Sequence, residues 1–433
     1  MAQIQQSSRP RNVPRRRWFI AGLLAFGVLV NYFDRVNLSV SKQALQKDFG
    51  ISNVIFGYLL SAYNWTYAAL QLPTGILLDR FGVQMIGRIS AIIWSLACFA
   101  GALSPGLRTF FASRLLLGVG EAPTFPANSK ATGYWFPRHE RSLATAIFDS
   151  AAKFSTAIGT PLIGLVLIYF GWRFSFAMTG VASFLFFLAF TFLYHDPEDD
   201  PRLSQEEKQY LADNAALTKR DKKTSGGHLL YLLQNRKVLG LAIGFAAYNY
   251  CFYLLLTWMP SYFTGALHMN LQSSVWYTAI PWLFATAADL LVGGWLVDRL
   301  VQKFDDSRVR QTILIGGMVM GLALIGTIFT HTPMAAVWWI SLGIGGLAAS
   351  APVAWSAPSL IAPADSVGQV GGIMNFANQI AAISAPVLTG YLIGKSNDYS
   401  RAFIAAAVAI AVGIAGYVLL LGKFERIPDE PRN

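Results

Sequence analysis

The chain has 433 residues, of which 54% are hydrophobic and 13% are charged, and its formal net charge is +11 at pH 7. Soluble domains carry about 25% charged residues, so this composition excludes an ordinary soluble protein and predicts side chains that mostly face lipid. The basic residues lie between apolar runs rather than on one soluble face, which argues against nucleic-acid binding. Cys98 and Cys251 lie inside apolar runs without metal or disulfide spacing, so we expect inert core residues and no metal site.

Apolar stretches of spanning length recur along the chain. A membrane helix needs about 20 apolar residues, and backbone groups in lipid must bond within their own helix. The sequence therefore predicts an all-α membrane protein with spans near 18–38, 55–77, 84–104, 108–130, 143–168, 172–193, 238–263, 272–297, 311–330, 334–356, 368–393 and 401–421. The first apolar run continues well beyond the length of a signal-peptide core, so we interpret it as an uncleaved span.

Charge sets the expected orientation and the division of the chain. Most Lys and Arg fall in the two termini, the even-numbered connections and the long middle segment, so the positive-inside rule predicts cytoplasmic termini. In the middle segment, Ser204 and Glu207 predict a capping box that opens a short surface helix. We expect a cytoplasmic tail (1–17), a six-helix half (18–193), a cytoplasmic linker (194–237), a second six-helix half (238–421) and a cytoplasmic tail (422–433).

The two halves carry a related motif. GILLDRFG (75–82) follows the second span and GWLVDRLV (294–301) follows the eighth, and each has a glycine, three apolar residues and then Asp-Arg. Parallel six-helix repeats are typical of a large transporter architecture whose binding site lies at the midplane between the halves.

Longer stretches carry a specific resemblance. GILLDRFGVQMIGR (75–88) resembles the cytoplasmic loop signature of the major facilitator superfamily. RLLLGVGEAPTFPANSKATGYWFPRHER (114–141) is similar to the anion:cation symporter family within it, and above all to bacterial galactonate and glucarate transporters. Four other stretches strengthen this resemblance: NYFDRVNLSV (31–40), SAYNWTYAALQLPTG (61–75), TWMPSYF (257–263) and GGIMNFANQIAAISAP (371–386).

The resemblance implies roles for individual residues. Asp34 and Glu121 match the family's two protonatable carboxylates, and Arg35 and Arg114 match the arginines beside them. The positions that line the substrate cavity of the family are matched by Tyr32, Tyr67, Trp355 and Asn375. In that family, inward proton movement drives the accumulation of an organic anion.

Helix geometry supports the same four charged residues. Asp34, Arg35 and Arg114 fall at similar depths in predicted spans 1 and 4, and Glu121 lies about two turns past Arg114 on the same face. Desolvation favours a neutral acid, whereas a nearby arginine favours the carboxylate. A substrate carboxylate that occupies Arg35 or Arg114 would thus favour protonation of Asp34 or Glu121. The alternative is a fixed ion pair that only sets helix packing.

Polar residues at helical spacing extend the candidate site. Tyr63, Tyr67 and Gln71 form one stripe on span 2, and Asn375, Asn378 and Gln379 form another on span 11. Such groups either bind ligand hydroxyls or form interhelical hydrogen bonds. Trp355 either stacks on a sugar or fills the core.

Two charged sets are expected to act in the conformational cycle. The first set lies in the connections after spans 2 and 8 and comprises Asp79, Arg80, Arg88, Asp298 and Arg299. These charges either hold the two halves together in one state of the cycle or only determine the orientation of the spans in the membrane. The second departs from the family pattern and consists of Asp149 and Lys153 on span 5 with Asp289 on span 8. Lys153 and Asp289 fall at similar depths, so an ion pair between the halves is expected. Three interpretations stay open for Lys153: a contact to a second acidic group of the substrate, a gate, or a static pair.

Together these patterns predict a secondary transporter of the inner membrane, not an enzyme. We expect it to import a sugar acid (hexonate, hexarate or hexuronate) by proton symport with alternating access. It would use no cofactor beyond the proton, contact membrane lipid, bind no nucleic acid and act as a monomer. The alternatives are a proton-independent facilitator or anion exchanger, and a symporter for an aromatic or other non-sugar carboxylate.

Overall fold

The structure is a computed structural model, and it describes residues 15–137, 140–213, 229–330, 332–363, 366–394 and 397–428. Within these ranges, only the backbone is described at 72, 79, 141–143, 146, 229, 359, 367 and 368. The described residues are helical apart from short turns and connections, as the sequence predicts.

Seven helices form the first half of the chain. They are α1 (Arg16–Val40), α2 (Lys42–Phe49), α3 (Asn53–Ala69), α4 (Gln71–Ala102), α5 (Leu107–Glu121), α6 (Thr124–Trp135) and α7 (Arg141–Leu193). Both α4 and α7 turn sharply at a glycine, Gly82 and Gly171, each with a φ of 80°. Only glycine adopts this backbone conformation at little cost. Helix α7 therefore contains the predicted fifth and sixth spans, whereas α4 contains the end of the second span and the third, and most of the second span lies in α3.

The remaining helices form the linker and the second half. They are α8 (Gln205–Asp213), α9 (Leu229–Gln234), α10 (Arg236–Gly265), α11 (Leu271–Ala288), α12 (Val297–Val301), α13 (Asp306–Gly321), α14 (Pro333–Ile361), α15 (Val367–Ile393) and α16 (Ser400–Ala415). A π-helical segment, Asp289–Leu296, joins α11 to α12. A 3₁₀ segment, Leu322–Phe329, extends α13, and a second π-helical segment, Gly416–Leu421, extends α16.

Nine helical segments in the described part of the chain are long and apolar enough to cross a membrane. The predicted fourth span is interrupted, because α5 ends at Glu121 and α6 begins at Thr124, with Pro123 between them. Proline removes a backbone donor and disrupts a helix interior. The expectation of one continuous helix over 108–130 is therefore wrong in this detail, and the interruption directly follows a predicted site residue.

The two halves are joined at one end of the bundle. We call the end that carries α8 and the start of α1 the linker side, and the opposite end the far side. On the far side, the Asn53 side chain donates to the Gly394 carbonyl at 2.7 Å, and the Tyr58 and Tyr391 hydroxyls are 3.0 Å apart. Ser39 Oγ donates to the Thr257 carbonyl at 2.7 Å, between α1 and α10. These contacts close the far side between the halves.

The linker helix α8 is tied to the start of α1. Glu207 Oε2 accepts a hydrogen bond from the backbone N–H of Arg16 at 3.1 Å, and Oε1 accepts from that of Arg17 at 3.2 Å. Arg17 Nη1 lies 2.9 Å from the same Oε1. The predicted capping box forms only in part: Ser204 Oγ accepts from the Glu207 N–H at 3.2 Å, but the Glu207 carboxylate caps α1 instead of its own helix. Helix α8 lies at the surface as predicted, with most of its side chains exposed or half-buried, but Glu207 itself is buried.

Candidate functional site

A buried ion pair joins α1 to the end of α5. Arg35 Nη2 lies 3.1 Å from Glu121 Oε2, and the two side chains are 4% and 0% exposed. Glu121 is the last residue of α5, so the interruption at Pro123 lies immediately beside the pair. The second carboxylate oxygen, Oε1, has no hydrogen-bond partner among the described residues. One face of this acid therefore remains available for a proton or a donor.

Three tyrosines surround the Arg35 guanidinium. Its Cζ lies 4.4 Å from the ring centre of Tyr32, 4.9 Å from that of Tyr63 and 5.9 Å from that of Tyr67. Tyr32 is one turn before Arg35 on α1, and the other two are one turn apart on α3. Aromatic faces stabilise a cation where water is excluded. Tyr32 and Tyr67 thus lie at the site, in direct contact with its central arginine.

The Asp34 carboxylate forms its hydrogen bonds within the first half. It is fully buried and accepts hydrogen bonds from Trp94 Nε1, from Cys98 Sγ at 3.1 Å and from Ser183 Oγ at 3.5 Å. Cys98 is buried as expected, but it contacts a site carboxylate and is not merely a core residue. Trp94 and Cys98 are four residues apart, so one helix face was recognisable in the sequence. Nothing in the sequence indicated that this face meets Asp34.

Arg114 is a buried cation with unused donors. It is 1% exposed, and its Cζ lies 5.4 Å from the ring centre of Phe110 and 5.0 Å from that of Phe176. Its Nε and Nη2 atoms have no hydrogen-bond partner among the described residues. Glu121 pairs with Arg35 and not with Arg114, which lies within electrostatic reach of Asp34.

A small cavity brings these groups together at the interface of the halves. Helices α1, α3 and α5 contribute most of its lining, and α10 of the second half contributes the rest: Asp34, Arg35, Leu38, Leu60, Tyr63, Arg114, Leu117, Leu256 and Thr257. Two guanidinium groups and a carboxylate therefore face one space with apolar walls. Guanidinium groups with free donors can pair with a carboxylate.

The two predicted polar stripes meet across the halves. Asn375 Nδ2 donates to Gln71 Oε1 at 3.2 Å, and Asn378 Nδ2 donates to Asn375 Oδ1 at 3.1 Å. The Oδ1 atom of Asn378 and the Oε1 atom of Gln379 have no hydrogen-bond partner in the described part of the chain. Interhelical hydrogen bonding thus accounts for Asn375, while acceptors on the same face stay available to a hydroxyl.

Trp355 lies apart from these groups. It is on α14, 41% exposed, and it packs edge-on against Phe245 at 5.0 Å. The structure does not bring it to the lining of the small cavity that contains Arg35 and Arg114.

The expected ion pair between α7 and the second half is present. Lys153 Nζ forms an ion pair with Asp289 and lies 3.0 Å from Asp149 Oδ2. Asp289 is the first residue of the π-helical segment after α11. The contact with Asp289 joins the two halves, and the function of the pair stays a prediction.

The comparison with protein families decides the class of this protein. The model of the Major Facilitator Superfamily matches residues 24–386. The chain belongs to this superfamily. Members of the superfamily have the fold predicted from the two Asp-Arg motifs, and the protein is therefore a multi-pass membrane transporter and not an enzyme.

Bacterial relatives match nearly the whole length of this chain. An uncharacterized transporter of Bacillus subtilis, YybO, is 40% identical over 98% of both chains. The probable galactarate/D-glucarate transporter GudP of the same organism is 31% identical, over 95% of this chain and 93% of its own. The crystal structure of a bacterial homolog to the human lysosomal transporter Spinster has the same fold, with a TM-score of 0.74 and 15% identity, over 95% of this chain and 98% of its own.

The charged residues at the superfamily motifs mostly contact their own half. Arg88 Nη2 donates to the Thr191 carbonyl at 2.8 Å. Arg80 Cζ lies 5.2 Å from the ring centre of Phe81, and Arg299 Cζ lies 4.1 Å from that of Trp295. Asp298 is exposed, and the side chain of Asp79 lies outside the described ones. A role for these five residues in the conformational cycle stays a prediction.

Proposed function

We propose that this transporter imports a sugar acid (a hexarate, hexonate or hexuronate) together with protons, by alternating access. The observation that carries this proposal is Arg114, a buried guanidinium at the cavity with two nitrogens that lack a hydrogen-bond partner among the described residues. An uncompensated buried charge costs several kcal/mol. A substrate carboxylate would supply two acceptors in the planar geometry that arginine prefers.

The rest of the site suits a hydroxylated substrate. Three tyrosines surround the Arg35 guanidinium, and Gln71 donates to the Ala122 carbonyl, next to Glu121, at 3.5 Å. The acceptors of Asn378 and Gln379 remain unused in the described structure. Hydroxyl groups along a sugar acid would donate to such acceptors. The 31% identity to a probable galactarate/D-glucarate transporter supports the same substrate class.

The Arg35–Glu121 pair gives a physical route to proton coupling. Glu121 is fully buried, and its only ion-pair partner in the described structure is Arg35. If the substrate carboxylate attracts Arg35 toward the cavity, Glu121 loses its compensating cation. A buried carboxylate without a cation binds a proton, so substrate and proton would occupy the site together. Asp34 is a second candidate, because it is buried and its hydrogen bonds come from neutral donors.

The direction of transport follows from the proposed orientation. With cytoplasmic termini in the inner membrane, the far side faces outward. Its closure between the halves would then describe a state that exchanges substrate with the cytoplasm. We further propose that the protein functions as a monomer in lipid and requires no cofactor besides the proton.

The test is uptake by the purified protein in lipid vesicles, with D-glucarate, galactarate, D-galactonate, D-glucuronate and benzoate compared at equal concentration. We expect one of the sugar acids to accumulate against its gradient when the outside is acidic, and a protonophore to abolish that accumulation. Equilibration that ignores the pH gradient would instead assign a facilitator. Uptake that needs an anion inside would assign an exchanger, and selective benzoate uptake would overturn the substrate class.

A further inference from the structure

A second ionisable cluster lies between the halves, apart from the Arg35–Glu121 pair. Lys153 Nζ lies 3.0 Å from Asp149 Oδ2, one turn earlier on α7, and forms an ion pair with Asp289 of the second half. The side chains of Asp149, Lys153 and Asp289 are 21%, 4% and 5% exposed. We call these three residues the interface triad.

The interface triad contains one more acid than base. In the described part of the chain, Tyr248 on α10 and Tyr32 on α1 also act electrostatically on Lys153 or are acted on by it, and Tyr253 on α10 acts in turn on both tyrosines. All three are phenols, which are neutral at pH 7. The Arg35 guanidinium also contacts the Tyr32 ring, but its charge is already compensated by Glu121. Two carboxylates around one ammonium leave one excess negative charge in an apolar interior, and such a charge is costly unless a proton neutralises it.

This charge balance argues against a substrate contact at Lys153. An incoming carboxylate would meet a cluster that is already negative, and it would have to displace an existing carboxylate to reach the ammonium. Like charges at short range repel one another strongly at low dielectric, and this repulsion disfavours that arrangement. A proton, in contrast, removes the excess charge and leaves both contacts of Lys153 in place.

Separation of the halves would divide the interface triad unequally. Asp149 and Lys153 share α7 and would remain a neutral pair, whereas Asp289 would leave with the second half. Asp289 starts a π-helical segment, and single π-helical turns are frequent at functional sites. Once it is separated from Lys153, its carboxylate has no cation to compensate it.

We propose that the interface triad is a second proton-binding site, which holds one proton while the halves are in contact, and that Asp289 carries this proton when they separate. The consequence for transport rests on the proposed proton symport. Proton binding itself does not, because it is measured without substrate.

The test is a pH-difference infrared spectrum of the full chain in lipid vesicles, recorded without substrate. The background variant carries Asp34→Asn and Glu121→Gln, which remove the other two proposed proton sites. We expect a carbonyl-stretch band of one protonated carboxylic acid, and we expect its loss in Asp289→Asn. Asp149→Asn should remove it equally, since either change leaves one carboxylate for one ammonium. Lys153→Met should increase the band toward two acids, and the exposed Asp306→Asn control should leave it unchanged.

The two asparagine variants test the proposal independently, so one that fails to fold leaves the other informative. A band that persists unchanged in the folded variants would overturn the proposal and leave a static ion pair. A change that appears only when D-glucarate is added, and that requires Lys153, would also overturn it and assign Lys153 to the substrate.

Discussion

Arg35 and Glu121 form a buried ion pair in which Arg35 Nη2 lies 3.1 Å from Glu121 Oε2. The pair joins the first helix to the point where the fourth predicted span is interrupted at Pro123. Arg35 also lines the cavity next to Arg114. A ligand that attracts Arg35 therefore changes the environment of Glu121 directly, without a longer chain of contacts.

Glu121→Gln should separate transport from proton coupling. Glutamine keeps a carbonyl acceptor for Arg35 but cannot take up a proton. We expect accumulation driven by a pH gradient to fall at least tenfold, while exchange of labelled for unlabelled substrate persists. Vesicle uptake with and without the gradient measures both, and Glu198→Gln, at an exposed acid, is the matched control. Retained proton-driven accumulation would remove Glu121 from the coupling mechanism.

Arg114→Ala should weaken substrate binding, because no other described group at that position offers an unpaired guanidinium. Loss of a charge-assisted contact costs about 1.5–3 kcal/mol, which corresponds to roughly a tenfold to hundredfold weaker affinity. Arg114→Lys should retain part of the substrate affinity, since lysine keeps the positive charge but lacks the planar guanidinium that binds both carboxylate oxygens. Ligand-induced thermal shifts measure the affinity, and Arg108→Ala, exposed on the same helix, should behave like the unmodified protein. Unchanged affinity in Arg114→Ala would place the carboxylate elsewhere.

Glu207→Gln should weaken the attachment of α8 to α1. The buried carboxylate accepts from two backbone N–H groups and from Arg17, and glutamine offers only one acceptor oxygen. A buried donor left without its acceptor costs about 1–3 kcal/mol. We expect a lower thermal unfolding temperature with unchanged substrate affinity. Glu206→Gln, at the exposed neighbouring position, should have no effect; equal stability of the two variants would contradict the capping role.

Gly57→Ala should disfavour the state in which the far side is closed. A Cβ at Gly57 would lie 2.7 Å from the Pro386 carbonyl oxygen of the opposite half, and backbone cannot move as freely as a side chain. We expect slower transport and faster maleimide labelling of a cysteine at Leu60 from the far side. Gly75→Ala is the control, since no atom lies within 4 Å of a Cβ there. Equal labelling in both variants would show that the halves accommodate the methyl group.

Asp48 should give a small pH-dependent contribution to stability. Its carboxylate accepts hydrogen bonds from Trp172 Nε1 at 2.7 Å and Arg173 Nη1 at 3.0 Å, and these contacts hold the pKa of Asp48 below its usual range. An acid with a lowered pKa stabilises the fold above its unfolded pKa of about 3.9, and this stability is lost as the pH falls through the folded value. Because the pair is exposed, Asp48→Asn should cost less than about 1 kcal/mol. At pH 7, Asp48→Asn should unfold at a lower temperature than the unmodified protein. At about pH 3 the gap between the two unfolding temperatures should shrink, and a gap that stays constant would contradict the electrostatic origin.

The sequence alone determined that the chain is a bundle of apolar helices, and it predicted which segments cross the membrane and at what depth the charged residues lie. Apolar run length sets the spans, and a rise of about 1.5 Å per residue sets depth. Asp34, Arg35, Arg114 and Glu121 could therefore be assigned to one region, and Lys153 could be expected near Asp289. Only the tertiary structure decided which partner each side chain meets. Adjacent helical residues point about 100° apart, so Asp34 reaches Trp94 and Cys98 while Arg35 reaches Glu121. Which partner lies in each of those directions depends on how the helices pack against one another. A single amino-acid sequence carries little information about that packing.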